Sequence, residues 1–153
     1  MSGVSLKIDV DDREILAALR QLQAVCNNLT PTLGAIGEYL GRSHEERFRQ
    51  QVDPNGNPWV DTSPVTKARK SRNKDKILIE SEDLMSTLRY KILDNALEFG
   101  TDRIYGAMMQ FGGTKAQYPN LWGDIPARPY LGISSTDKTE ILDILSRHIL
   151  ARI

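Results

Sequence analysis

The chain has 153 residues, the size of one domain, and 1–153 is read as a single unit. Hydrophobic residues make up 40% of it, enough for a core, which excludes wholesale disorder. Twenty basic side chains balance twenty acidic ones, so net charge argues neither for nor against a nucleic-acid partner and only local clustering can speak.

Cys26 is the lone cysteine, which excludes an intramolecular disulfide and a thiolate metal cage within one chain, and fits a reducing cytoplasm. No basic segment followed by an apolar run opens the sequence, and no apolar stretch approaches the ~20 residues of a membrane helix. The expectation is a soluble protein with no signal peptide and no membrane contact.

Val4, Leu6, Ile8 and Val10 alternate with Ser5, Lys7 and Asp9, the period of a half-buried first strand. Asp11 or Asp12 then caps a helix whose buried stripe is Ile15, Leu19, Leu22 and Cys26, and Asn27-Asn28 ends it. On that stripe Cys26 reads as a packed thiol and not a reactive one. Thr30-Pro31 opens a second helix, with a side-chain cap followed by proline at the first helical position. It runs to about Gln51 and buries Leu33, Ile36, Leu40, His44 and Phe48. Gly34, Gly37 and Gly41 weaken this helix and leave a smooth strip, open to packing within the domain or to a neighbouring subunit.

Residues 52–64 are turn chemistry, marked by Asp53-Pro54 and Asn55-Gly56, with Trp59 expected to fold back onto the core. Ser63-Pro64 repeats the cap-plus-proline signal and opens a short helix to about Lys70. Lys67, Arg69, Lys70, Arg72, Lys74 and Lys76 form a basic run over 67–76, expected to be an exposed, mobile loop. Ile77, Leu78 and Ile79 return to the core, and Ser81 or Glu82 precedes a short helix with Leu84, Met85 and Leu88.

Residues 89–101 read as a β-hairpin around Asp94-Asn95. A short helix is expected over 104–111, ended by Gly112-Gly113 through positive φ. A long loop follows at about 112–130, and loops of that length in compact domains usually serve function. Ser134-x-x-Asp137 is a capping box for a final helix that buries Ile141, Leu142, Leu145, His148 and Ile149. The outline is α+β: a small antiparallel sheet with N-terminal and C-terminal helices packed on it.

Signatures of chemistry fail one by one. His44-Glu45-Glu46-Arg47-Phe48 begins like a zinc helix but has Phe48 where the second histidine belongs. Asp53-x-Asn55-x-Asn57 begins like a calcium loop but has Pro58 and Pro64 where glycine and a bidentate glutamate belong. No phosphate loop and no Gly-x-Ser-x-Gly elbow is present, and His44 and His148 both fall on apolar helical faces. The expectation is a protein without catalytic residue, metal or cofactor. The basic run has the charge to meet phosphates but lacks the interleaved aromatics that stack bases, so any DNA contact would be to the backbone and blind to sequence.

Three rigid strings stand out: Asp53-Pro-Asn-Gly-Asn-Pro-Trp59, Gln110-Phe-Gly-Gly113 and Ile125-Pro-Ala-Arg-Pro-Tyr-Leu-Gly132. With Phe48, Ile77-Leu78, Leu84, Phe99-Gly100-Thr101 and Tyr105-Gly106-Ala107 between them, their order resembles the phage virion morphogenesis family, the tail-completion proteins of Mu-like and P2-like tailed phages. The resemblance covers about 48–149. One departure is Glu82-Asp83-Leu84, where many relatives carry Gly-x-Leu.

The resemblance implies a structural protein that completes the tail or joins head to tail at the neck. Its implied partners are copies of itself in a ring-like oligomer and the tail terminator, tail tube or head–tail connector proteins. It implies assembly in the host cytoplasm and residence at the virion neck. An accessory role in capsid assembly is the alternative within the class, and a DNA-binding module the alternative outside it. Candidate interface residues are Trp59, Gln110, Phe111, Trp122, Arg128 and Tyr130. Candidates to face packaged DNA are Lys67, Arg69, Lys70, Arg72, Lys74 and Lys76. Pro126 and Pro129 hold Arg128 on an extended backbone, where it either pairs with a carboxylate of its own chain or meets a neighbouring subunit.

Overall fold

Asp12 starts the first helix: its carboxylate accepts from the backbone N–H groups of Glu14 at 3.0 Å and Ile15 at 3.3 Å. The helix, α1, runs Arg13–Val25. The computed structural model describes residues 12–25, 28–70, 77, 83–103, 105–121 and 123–151. The strand expected over 4–10, Cys26, Arg72, Lys74, Lys76 and Trp122 lie outside the described residues.

The long second helix, α2, spans Thr30–Gln50. Its cap differs from the expected one. Thr30 is already helical, so its own N–H is one of the orphan donors, and the Asn28 side chain two residues upstream accepts it at 3.0 Å. Leu33, Ile36, Leu40, His44 and Phe48 are all buried, as their spacing requires, and Arg47 is buried with them. The helix stops because Gln51 turns left-handed at φ 60°, while its N–H bonds the Arg47 carbonyl.

Short helices α3 (Pro64–Arg69) and α4 (Asp83–Ser86) precede the hairpin of β1 (Arg89–Leu93) and β2 (Ala96–Gly100). Ser63 caps α3 by accepting from Thr66 N–H, as expected. Asp94 and Asn95 both have positive φ, 50° and 59°, which is the two-residue turn that matches the twist of paired strands. The register pairs Arg89 with Gly100, Tyr90 with Phe99 and Leu93 with Ala96. Helix α5 covers Gly106–Phe111, and α6 covers Ser135–Leu150 behind the full capping box of Ser134 and Asp137.

Helix α2 is the central beam. The hairpin lies on one side of it, α6 packs on another, and α1 packs on α6. The class is α+β, with mixed helices around an antiparallel sheet that has two strands among the described residues. The Asp12–Lys138 ion pair at 3.1 Å ties the start of α1 to α6. Thr32 and His148 tie α2 to the last turns of α6 through a 2.7 Å hydrogen bond. Ile141, Ile144, Leu145 and Ile149 bury the inner face of α6.

The three glycines of α2 are not equivalent. A Cβ at Gly37 would stand 2.5 Å from the Tyr90 ring, whereas one at Gly34 or Gly41 meets nothing within 4 Å among the described residues. Gly37 is therefore the notch in which the hairpin seats, and Tyr90 completes the joint by donating to Glu38 at 2.9 Å. Gly37→Ala should destabilise the fold by about 1–3 kcal/mol through overpacking. Gly41→Ala should stabilise an isolated subunit by up to about 1 kcal/mol through helix propensity. Urea unfolding of both variants checks this; equal effects would contradict the assigned packing.

Candidate functional site

The loop that carries the Pro-Ala-Arg-Pro string is held from every side by hydrogen bonds to backbone. Helix α5 supplies the first clamp. Gln110 Oε1 accepts from the N–H groups of Tyr130 at 3.0 Å and Leu131 at 2.9 Å, and its Nε2 donates to the Leu131 carbonyl at 3.0 Å. One amide thus serves two donors and one acceptor of an extended segment. The Met109 carbonyl accepts from Arg128 N–H at 2.8 Å.

Gly112 lets the chain turn out of α5. Its φ is 68°, and a Cβ would lie 2.6 Å from both the Ala127 nitrogen and the Ile125 oxygen, so conformation and close approach both demand glycine. Of the expected glycine pair only Gly112 takes positive φ; Gly113 instead pairs with Ile125 in an antiparallel bridge. That bridge cinches the long loop at its neck. At the other end of α5, Gly106 leaves room for Tyr130: a Cβ there would lie 2.9 Å from the Tyr130 hydroxyl, which donates to the Gly106 carbonyl at 2.8 Å.

The second clamp is aromatic. Trp59 folds back as expected: its indole N–H donates to the Pro129 carbonyl at 2.7 Å and its ring meets Phe48 edge-on, with centroids 5.3 Å apart. Phe48 also packs against Tyr130, which is fully buried. The turn before Trp59 is built by Asp53, whose carboxylate accepts from the N–H groups of Asn55 and Asn57.

Arg128 is the third clamp, and its partners differ from the carboxylate expected for an intramolecular contact. Its guanidinium donates to the carbonyls of Val60 at 2.6 Å and Asp61 at 2.9 Å. The planar fork suits two successive carbonyls as well as it suits one carboxylate. Asp61 is already engaged, with Lys67 at 2.8 Å.

Beneath the loop lies an ion pair that reading the sequence missed. Arg47 donates to the Tyr130 carbonyl at 2.8 Å, to the Gly132 carbonyl at 3.2 Å and to Asp137 at 3.0 Å. Arg47 and Asp137 are 6% and 1% exposed. Burial alone would raise the Asp137 carboxyl. Hydrogen bonds from Ser43, Ser134 N–H and Tyr39, with the Arg47 charge, instead hold it below the usual range. Burial, and then Asp137, push the Tyr39 phenol up to about 12. A signal was available: Arg47 sits on the face of α2 otherwise filled by Leu40, His44 and Phe48, and a cation there needs a buried anion.

His44 completes this layer. Its Nδ1 meets the Leu40 carbonyl at 2.7 Å, and Gly132 N–H donates to its Nε2 at 3.3 Å, so Nδ1 carries the proton. Both ring nitrogens are committed to backbone. Burial, reinforced by the Arg47 charge, lowers its pKa to about 4.

The interface candidates therefore fall into distinct places. Trp59 and Tyr130 are buried within the chain, Gln110 and Arg128 are partly buried and bonded to its backbone, and Phe111 is 68% exposed. Tyr118 and Val60, beside the same loop, are also exposed. In the basic run Lys67 pairs with Asp61 and Lys70 is buried, not exposed as expected, while Arg69 lies on the surface of α3. Beyond the run, the Gln51 side chain grips Ile77, taking its N–H and donating to its carbonyl.

With this geometry in view, the relatives fall into line. The model of the phage virion morphogenesis family matches residues 10–150, and the chain belongs to that family. It is 30% identical to the putative capsid assembly protein G of Escherichia phage Mu over 154 residues, 97% of each chain. It is 26% identical over 139 residues to the Mu-like prophage FluMu G protein 2 of Haemophilus influenzae, covering 90% of this chain and 91% of that one. No solved structure matches it. The family resemblance read from the loop motifs is borne out and reaches back to residue 10. Among the described residues no helix is long and apolar enough to cross a membrane.

Two outcomes follow from the clamps. Gln110→Ala removes three hydrogen bonds and strands two loop N–H groups, which should cost about 2–3 kcal/mol and speed amide exchange at Tyr130 and Leu131. A loss under about 0.5 kcal/mol would show that the loop holds without it. For pH, His44 has a folded pKa near 4 and an ordinary one of 6.5, so the unfolded chain takes the proton first. Stability is complete above 6.5 and drains away as pH falls toward 4, by on the order of 2–3 kcal/mol at pH 4.5. Urea unfolding at pH 7 and 4.5 should show this slope, and His44→Gln should flatten it.

Proposed function

We propose that this chain, a virion assembly protein by family, completes the tail or joins head to tail at the neck, working through oligomeric protein–protein interfaces and without catalysis. The observation that carries the reading is Phe111, a large aromatic 68% exposed on a helix whose preceding residue is locked by three hydrogen bonds. An exposed aromatic on a pre-ordered backbone loses little entropy on docking, which is how interface anchors gain their energy. The loop around it is rigid by construction, so its shape is already set before a partner arrives.

The partners are further copies of this chain in a ring, and the tail or connector proteins that the ring bridges. Protein contacts fit better than DNA contacts. Lys67 is paired and Lys70 is buried, which draws charge out of the basic run. The site of action is the assembling particle in the host cytoplasm, then the virion neck. His44, with both ring nitrogens on backbone, has no free lone pair for acid–base work. A second reading, accessory capsid assembly, is favoured by the Mu relative, which is named a putative capsid assembly protein.

Phe111→Asp should leave stability within about 0.5 kcal/mol, because the side chain is exposed. It should weaken partner binding roughly 30-fold or more, as expected for loss of an interface anchor. Electron microscopy of lysates from a phage carrying this variant, or lacking the gene, decides between the readings. DNA-filled heads beside unattached tails support neck joining. Tails without normal heads would sink it in favour of capsid assembly, and normal particles from the variant would remove Phe111 from the interface.

A further inference from the structure

Asn55-Gly56 stands at the tip of the turn before Trp59, where the chain reverses between Val52 and Pro58. Asp53 builds that turn. Its carbonyl accepts from Gly56 N–H at 3.0 Å, and its own N–H donates to the Asn57 carbonyl at 2.8 Å. Gly56 closes the reversal at φ 85°, the left-handed position that such loops give to glycine. The Asn55 side chain takes no part in this frame. It is exposed, and its amide has no hydrogen-bond partner among the described residues.

An asparagine followed by glycine can modify itself, because glycine has no side chain to keep its nitrogen from the asparagine Cγ. At Gly56 the surroundings are open as well: a Cβ there would meet nothing within 4 Å. The other described asparagines are poorer candidates. Asn57 precedes Pro58, whose nitrogen has no proton to lose. The Asn28 side chain is held by Thr30 N–H. Asn95 precedes Ala96, which is paired with Leu93 in the hairpin ladder. Asn120 precedes the bulky Leu121, whose N–H is bonded to the Tyr118 carbonyl at 3.0 Å.

We propose that Asn55 is a self-modification site, converted to aspartate and isoaspartate at a rate set by opening of the Asp53 turn. The Gly56 nitrogen gives its proton to solvent and bonds to Asn55 Cγ. The Cγ–Nδ2 bond breaks, and Nδ2 takes a proton from solvent and leaves as ammonia. Water then opens the cyclic imide. Attack at one carbonyl leaves aspartate; attack at the other leaves isoaspartate, whose backbone runs through the side chain. In the closed turn the Gly56 N–H is engaged by the Asp53 carbonyl, so the nitrogen cannot swing to Cγ until that bond opens. Either product sets a carboxylate beside that of Asp53, and isoaspartate adds a backbone carbon to a turn that has no room for it. The displacement falls on Pro54, which packs so close to Gly132 that a Cβ there would stand 2.7 Å from its Cγ. Conversion therefore loosens the loop where Gly132 also meets Arg47 and His44.

The inference is independent of the neck assignment and has its own test. The whole protein is held in mildly alkaline buffer, folded or in urea, and its peptides are mapped by mass spectrometry. The mass gain of an NH2-to-OH exchange should appear at Asn55 before any other described asparagine, with isoaspartate confirmed by an isoaspartate-specific methyltransferase. The reaction should run at least about tenfold faster in urea, where the turn is open. Asp53→Ala, checked by circular dichroism to be folded, should bring the native rate toward the urea rate. Amide exchange at Gly132 should be faster in the purified isoaspartate form than in the unmodified protein. Earlier reaction at Asn28, Asn95 or Asn120 in the folded protein would overturn the assignment of the site. Equal rates in buffer and in urea would overturn the gating by the turn, and unchanged exchange at Gly132 would overturn its link to the loop.

Discussion

The buried pairing of Arg47 with Asp137 is the constraint on which the rest depends. It joins the end of α2 to the start of α6, and the remaining Arg47 donors reach the carbonyls of Tyr130 and Gly132. A buried pair of this kind adds little net stability relative to an apolar pair of the same shape, but removing one partner strands the other charge and costs about 3–5 kcal/mol. Its effect is on specificity. Only one placement of the loop over 130–134 satisfies every donor and acceptor, because Asp137 also accepts from Ser43, Tyr39 and Ser134 N–H. The capping box and the ion pair share one carboxylate, so helix α6 cannot start elsewhere without exposing Arg47 to an empty site.

The geometry of the 125–132 segment follows from that placement. With Tyr130 and Gly132 fixed from below, Gln110 holds the segment from one side and Trp59 and Arg128 hold it from the other. The string that looks like a display motif is largely inward-facing scaffold. Its arginine and tyrosine serve the chain's own backbone, while Phe111, Tyr118 and Val60 are among the large side chains left exposed around it. A residue can therefore belong to such a string for structural reasons. Rigid presentation by backbone clamps suits an assembly protein, whose partners must recognise one shape.

Much of this was legible in the sequence. Asp94-Asn95 announced the hairpin turn because few residue pairs accept positive φ twice. Ser63-Pro64 and Ser134-x-x-Asp137 marked helix starts because caps are local chemistry, requiring only residues within one turn. The buried faces of α2 and α6 followed from their periods. The family, too, was legible, since its strings are turns whose glycines and prolines are dictated by the backbone. Where the cap of α2 was expected at Thr30, the N-cap position falls to Leu29 and the Asn28 side chain takes the Thr30 N–H, because only the backbone could choose between polar side chains two residues apart.

What the sequence by itself determined, then, were most of the described elements and the family, because each depends on residues close together along the chain. The tertiary structure alone decided the long-range pairs. Arg47 with Asp137 spans 90 positions, Arg128 with Val60 spans 68, and Gln51 with Ile77 spans 26. No local pattern encodes which buried cation meets which anion or which carbonyl receives a guanidinium. The same reason separates Lys67 and Lys70 from the run they belong to, since a charge in sequence is only a charge, and its exposure is set by what folds against it.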